Sequence, residues 1–154
     1  MLFGDFIDSI VGALKFKNLD FTKIKYSTRF TSDEAKKTVE YLEQCGCLPE
    51  WSRSVCFYWN DKMGKETIAC WTWDKPDLVF VTSSFRFDYN NENFKKIIAP
   101  IAHELHHKKQ YNRYGLLFFL LLIPIVRNFT IEIGANRVTV KVNKFFKIPE
   151  GEWL

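Results

Sequence analysis

Histidine is scarce in this chain: there are three, and all of them fall within five consecutive residues. Cysteine is also scarce, with four residues, and no two of them have the C-x-x-C spacing of a structural zinc knuckle. The longest apolar run, 116–126, is much shorter than the about 20 residues that a membrane-spanning helix needs. These absences argue against a disulfide-rich scaffold, a zinc knuckle and a transmembrane span.

The N-terminus also lacks the basic start of a secretory signal peptide and carries Asp5 and Asp8 instead. We therefore expect reduced thiols, several of them buried, although a Cys56–Cys70 disulfide between neighbouring strands stays open. We expect the apolar run to pack behind a functional site, and a segment that dips into a membrane is the alternative.

The composition favours one compact domain over residues 1–154, because the chain is long enough to bury a core and 17% of it is aromatic. The net charge of +4 is uneven, since residues 78–154 hold 11 Lys and Arg against 6 Asp and Glu. This basic half favours acidic partners, or it is a solvated face that aids solubility. We expect no nucleic-acid partner, and the oligomeric state is left open.

The spacing of apolar residues predicts an α+β fold. It predicts one helix near 3–14 and a second from Asp33 to Gln44. Three runs rich in β-branched and aromatic residues then predict strands, with neighbours pairing antiparallel; they are 54–59, 67–73 and 78–83. Helical spacing returns around Asn93, where Pro100 lies either in the first turn of the helix or at a kink.

All three histidines lie in the pentad His103-Glu104-Leu105-His106-His107, which has the form H-E-x-x-H. On a helix, His103 and His107 share a face and can bind one metal ion, whereas His106 diverges from His107 by about 100°. A catalytic zinc ion usually takes three protein ligands. With no other histidine in the chain, the third ligand must be a carboxylate or a cysteine.

The next acidic residue after the pentad is Glu132, within Ile131-Glu132-Ile133-Gly134-Ala135-Asn136. H-E-x-x-H followed by E-I-G-x-N resembles the gluzincin, thermolysin-like branch of the zincin metallopeptidases, over about 98–138. It is most similar to the minimal zincin-like proteins of bacteria and phages. The resemblance implies that Glu132 is the third zinc ligand. It also implies that Asn136, where the family usually has an acid, orients a ligand histidine.

The resemblance further implies a minimal zincin-like fold, with a small, mostly antiparallel sheet of three to four strands and two helices that carry the ligands. The expected activity is zinc-dependent hydrolysis of peptide bonds in a peptide or protein substrate, with Glu104 as general base and Tyr114 as a candidate to stabilise the oxyanion. Further candidates for this role are Tyr111, Arg113, Arg127 and Arg137. The strand at 78–83 is expected to pair with an extended substrate, and the expected location is cytoplasmic or phage-associated.

Two alternatives remain open. Residues 129–142 alternate like strands, so the pattern alone slightly favours a hairpin that turns at 134–136. A helix is chosen because it places Glu132 and Asn136 on one face. The alternative function is a structural or regulatory component that keeps the zincin scaffold without efficient turnover.

Overall fold

The computed structural model describes residues 24–48, 54–63, 66–72, 74–88, 92–115, 117–118 and 124–154. The helix predicted near 3–14 lies outside these residues. The described part is an α+β fold, as predicted, with one four-stranded sheet and helices packed against it.

The first described helix, α1 (Ser32–Gln44), agrees with the prediction. It begins with a capping box, in which Thr31 accepts the Glu34 amide proton and the Glu34 carboxylate accepts the Thr31 amide proton. The same carboxylate accepts a 2.9 Å hydrogen bond from the indole nitrogen of Trp59. The buried Glu34 side chain therefore caps the start of α1 and also joins this helix to the sheet.

The sheet contains β1 (Ser27–Arg29), β2 (Cys56–Asn60), β3 (Ala69–Trp71) and β4 (Leu78–Thr82). Its order is β1-β2-β4-β3. The β1–β2 and β3–β4 pairs are antiparallel, whereas β2 and β4 run parallel. The prediction that neighbouring strands pair antiparallel is therefore correct for β3–β4 and wrong for β2–β3, because β4 lies between them. Cys56 and Cys70 lie on those separated strands, and both are free thiols.

The pentad lies on α2 (Ile98–Tyr114), which follows a 3-10 helix at Glu92–Ile97. Pro100 is the third residue of α2, where its missing N–H has no intrahelical partner to lose, so the first of the two alternatives holds. One flank of α2 is almost completely buried in the core, as Ile98, Ile101 and Leu105 show.

The remaining helices are α3 (Pro124–Phe129) and α4 (Ile131–Phe145). Residues 131–145 are therefore helical, and the hairpin alternative is wrong. Of the apolar run, Phe118 is buried against Trp71 and Tyr111, whereas Leu117 is 59% exposed. Across the described residues, no helix has the length and apolar character that a membrane crossing requires.

Candidate metal centre

The candidate centre lies between α2 and α4, which pack against each other along much of their length. Gly134 allows this close approach. A β-carbon at this position would stand 2.7 Å from Nε2 of His106 and 3.2 Å from Nε2 of Gln110. The glycine in E-I-G-x-N therefore lets the helix that carries Glu132 lie directly against the helix that carries the histidines.

Three side chains converge at this crossing. The Nε2 atoms of His103 and His107 are 3.0 Å apart. The Glu132 carboxylate oxygens lie 3.4 Å from Nε2 of His103 and 3.6 Å from Nε2 of His107. Tetrahedral ligands about 2.0–2.1 Å from a zinc ion stand about 3.3 Å from one another, so the triangle has the size that such an ion requires. The three predicted ligands are therefore brought together in a group that could hold a metal ion.

The outer nitrogens of both imidazoles are held by hydrogen bonds that end on α4. Nδ1 of His103 lies 3.1 Å from the Thr139 hydroxyl, which donates to the Ala135 carbonyl. Nδ1 of His107 lies 3.1 Å from Oε1 of Gln110, whose amide nitrogen donates to the Ile131 carbonyl.

Both chains of hydrogen bonds favour the same histidine tautomer. A backbone carbonyl only accepts, so the Thr139 hydroxyl and the Gln110 amide use their protons there and present oxygen lone pairs to the rings. Each Nδ1 then carries a proton and donates it, so each Nε2 faces the centre of the triangle. This is the arrangement that metal-binding histidines need. In the metal-free protein Nε2 of His103 can take a second proton, which it donates toward Glu132 and which a metal ion would displace.

The charges of the cluster point the same way. Burial disfavours a charged His103, yet the hydrogen bond with Glu132 and the charges of Glu104 and Glu132 raise its pKa. Burial and the charge of His103 lower the pKa of His107 to about 4. The hydrogen bond with His103, together with the neighbouring positive charges, lowers the pKa of Glu132. In the metal-free cluster, His103 thus holds its proton beside an ionised Glu132, in the place that a metal cation would take.

Glu104 is positioned by the sheet and is not part of the triangle. Its Oε2 accepts a 2.8 Å hydrogen bond from the backbone N–H of Trp71 on β3. Burial raises the pKa of Glu104 to about 7, and its charge interacts with those of His103 and Glu132. A carboxyl group with such a pKa can both take up and return a proton near neutral pH.

The structure differs from several residue assignments made from the sequence. Asn136 is exposed, and Thr139 holds the His103 ring in its place, because Thr139 lies one turn further along the face of α4 that meets α2. Tyr114 is the last residue of α2 and is 40% exposed, and among the described residues it has no contact with the triangle. Its predicted role stays a prediction. His106 diverges from the triangle, as predicted, and packs against Gly134.

The structure also changes which strand could pair with a substrate: it is β3 and not the strand at 78–83. β4 has a neighbour on each side, so it offers no edge, whereas β3 lies at the end of the described sheet. The Thr82 amide donates to the Ile68 carbonyl, so in this antiparallel register the backbone groups of Ala69 and Trp71 face away from β4. The edge beside Glu104 therefore belongs to β3.

Sequence reasoning missed Thr139, Gln110 and the packing role of Gly134. Gln110 lies three residues after His107 on the same helix, so helical spacing alone could have identified it. Thr139 required the knowledge that 131–145 is helical. The chain matches no protein-family model and no curated protein, so the likeness to zincins rests on the residues of the site.

Proposed function

We propose that this protein is a zinc-dependent metallopeptidase, with zinc held by His103, His107 and Glu132. The observation that carries the proposal is the triangle of Nε2 and carboxylate atoms, 3.0–3.6 Å on its edges, with a buried carboxyl group of raised pKa beside it. Two imidazoles and one carboxylate are a ligand set of catalytic zinc sites, which leave a fourth position open.

A bound zinc ion supplies Lewis-acid chemistry, which polarises a carbonyl group and acidifies water. Glu104 accepts the proton of the attacking water and then gives it to the leaving amine, which is the work of a general base and acid. The Trp71 N–H holds one oxygen of Glu104 in place, so the other oxygen is the one that exchanges the proton. An extended peptide that adds to the remaining outward-facing groups of β3, the backbone of Ala69 and the Trp71 carbonyl, brings its own backbone next to this carboxylate.

A positive group is also present near the triangle. The Nε atom of Arg127 lies 4.0 Å from Oε1 of Glu132 and makes no hydrogen bond within the described residues. The guanidinium can therefore donate to a substrate oxygen that becomes negative during the reaction. We expect Arg127→Gln to lower kcat by about 10-fold to 100-fold. Arg137→Gln, on the exposed face of α4, is the matched control and should leave kcat unchanged.

The test is a comparison of metal content and hydrolysis in four proteins: the wild type, Glu104→Gln, His103→Ala and Glu132→Ala. Elemental analysis should find one zinc per wild-type chain, and a mixture of fluorogenic peptides should be cleaved. Glu104→Gln should keep the zinc and lose hydrolysis by about 100-fold or more. His103→Ala and Glu132→Ala should lose both zinc and hydrolysis.

Each outcome has a definite meaning. Unchanged zinc affinity in Glu132→Ala rejects Glu132 as the third ligand. Hydrolysis at the wild-type rate in Glu104→Gln rejects it as the general base. A wild-type protein that binds zinc and cleaves no peptide in the mixture contradicts the peptidase and favours the structural or regulatory alternative.

A further inference from the structure

Two of the four cysteines flank the glycine that ends α1. The Gly46 amide donates to the Glu43 carbonyl at 3.0 Å and the Cys47 amide donates to the Leu42 carbonyl at 2.8 Å, which is the hydrogen-bond pattern of a Schellman motif. Gly46 has φ +69°, the left-handed conformation that this motif requires. The helix end therefore fixes the backbone on both sides of the pair.

This turn points the Cys47 thiol back toward Cys45, because that thiol donates to the Cys45 carbonyl at 3.6 Å. A disulfide requires Cα atoms about 4.4–6.8 Å apart and Cβ vectors that point toward each other. Residues two positions apart are at most about 7 Å apart even in an extended chain, and this turn is not extended, so a small movement brings the two sulfurs together.

The two thiols have different surroundings. Cys45 is 4% exposed, and its thiol donates to the Leu42 carbonyl at 3.4 Å, beside the negative end of the helix. Cys47 is half-buried and lies past that end. The ammonium group of Lys141, on α4, stands 3.5 Å from where a β-carbon of residue 46 would be.

The charges follow this geometry. The neighbouring Cys45 thiol and the charge of Lys141 lower the pKa of Cys47 to about 7. The hydrogen bond with Cys47 and burial raise the pKa of Cys45. Burial, with the charges of Glu104 and Asp74, raises the pKa of Cys70 to about 12. Cys70 therefore serves as a comparison for Cys47 in the same chain, because the pKa of Cys70 is raised and that of Cys47 is lowered.

We propose that Cys45 and Cys47 form a thiol–disulfide exchange site that takes low-molecular-weight disulfides, with Cys47 as the attacking thiolate and Cys45 as the resolving thiol. The Cys47 thiolate attacks one sulfur of a disulfide R–S–S–R, forming a mixed disulfide and releasing one thiolate. Cys45 gives its proton to that thiolate and attacks the Cys47 sulfur. The Cys45–Cys47 bond forms as the second thiolate leaves and takes a proton from water. The pair loses two electrons, which reduce the substrate to two thiols.

The experiment treats the full chain with mixtures of oxidised and reduced glutathione, traps free thiols with an alkylating agent and measures intact and peptide masses. The expected product has lost two hydrogen atoms and links Cys45 to Cys47. In Cys45→Ala, which circular dichroism checks for folding, the mixed disulfide on Cys47 should accumulate because nothing resolves it. In Cys47→Ala, Cys45 should stay reduced.

A substitution of the exposed Lys141 tests the same proposal and leaves both cysteines in place. Lys141→Gln should slow the reaction with oxidised glutathione by about threefold to tenfold, whereas Lys144→Gln on the same helix should not change it. A wild-type protein that stops at the mixed disulfide on Cys47 overturns the resolving role of Cys45. Equal rates for Cys45 and Cys47 in the two single variants overturn the assignment of the nucleophile. No reaction at any glutathione ratio overturns the site.

Discussion

Glu104→Gln should stabilise the metal-free protein at neutral pH, although it should abolish hydrolysis. Burial raises the pKa of Glu104 to about 7, against an ordinary value of 4.5. Between these values the folded protein keeps a proton that the unfolded chain has lost, so the free energy of unfolding falls as the pH rises. Above pH 7 the folded protein carries a buried carboxylate, and the cost is fully present.

The magnitude follows from the size of the shift. A full shift from 4.5 to about 7 corresponds to about 3.5 kcal/mol, at about 1.4 kcal/mol per pKa unit. The carboxyl group of Glu104 is buried, but the residue as a whole keeps some exposed surface, so solvent screening reduces the cost and we expect about 1–3 kcal/mol. Glutamine does not titrate, and its carbonyl oxygen can still accept the Trp71 N–H. The variant therefore removes the charge and keeps the contact.

The assay is urea unfolding in the presence of a chelator at pH 4.5 and pH 7.5, followed by tryptophan fluorescence. The stability gain of Glu104→Gln over the wild type should grow between these values by about 1–3 kcal/mol. Glu132→Gln is the control, and its effect on the pH dependence of stability should have the opposite sign. The pKa of Glu132 is lowered, so its carboxylate stabilises the folded state above the unfolded pKa, and this contribution is lost as the pH falls. A Glu104→Gln gain that is the same at both pH values refutes the reasoning.

Three further outcomes test the geometry of the centre. Gly134→Ala should lower stability by about 0–2 kcal/mol in urea unfolding, because its β-carbon would stand 2.7 Å from His106 Nε2 and displace that ring, while alanine regains about 1 kcal/mol of helix propensity; Gly151→Ala, with open space around it, is the control. Thr139→Val should weaken zinc affinity by about 10-fold to 100-fold in chelator competition, whereas Asn136→Ala should leave it unchanged. Zinc affinity should also fall as the pH drops through the raised pKa of His103, because the metal must displace that proton; an affinity that is flat with pH in the same competition assay contradicts this.

Local signals in the sequence predicted much of the fold. Thr31 and Glu34 cap the first turn of α1 and Gly46 follows its last turn, so this helix is set by residues close to it in the chain, and its predicted bounds agree with the structure to within one residue. The H-E-x-x-H spacing requires only one helix, so it placed His103 and His107 on a common face. These features depend on residues that are close together in the chain, so they can be predicted from the sequence.

Other features depend on contacts between distant segments. Residues 131–145 alternate in a way that suits a strand, and they form a helix because that helix buries Ile131, Ala135 and Val142 against the rest of the protein. The parallel β2–β4 pair was not predicted, since strand order is set by how the whole sheet packs and not by any one strand.

The sequence by itself limited the candidate metal ligands, because the chain has only three histidines, all within five residues, and Glu132 is the one acidic residue between them and residue 150. Only the tertiary structure decided which groups orient those ligands and which strand lies beside Glu104. Thr139 and the edge of β3 reach the site through the crossing of two helices and the order of a sheet. Both are results of packing among residues far apart in the chain, so no local pattern encodes them.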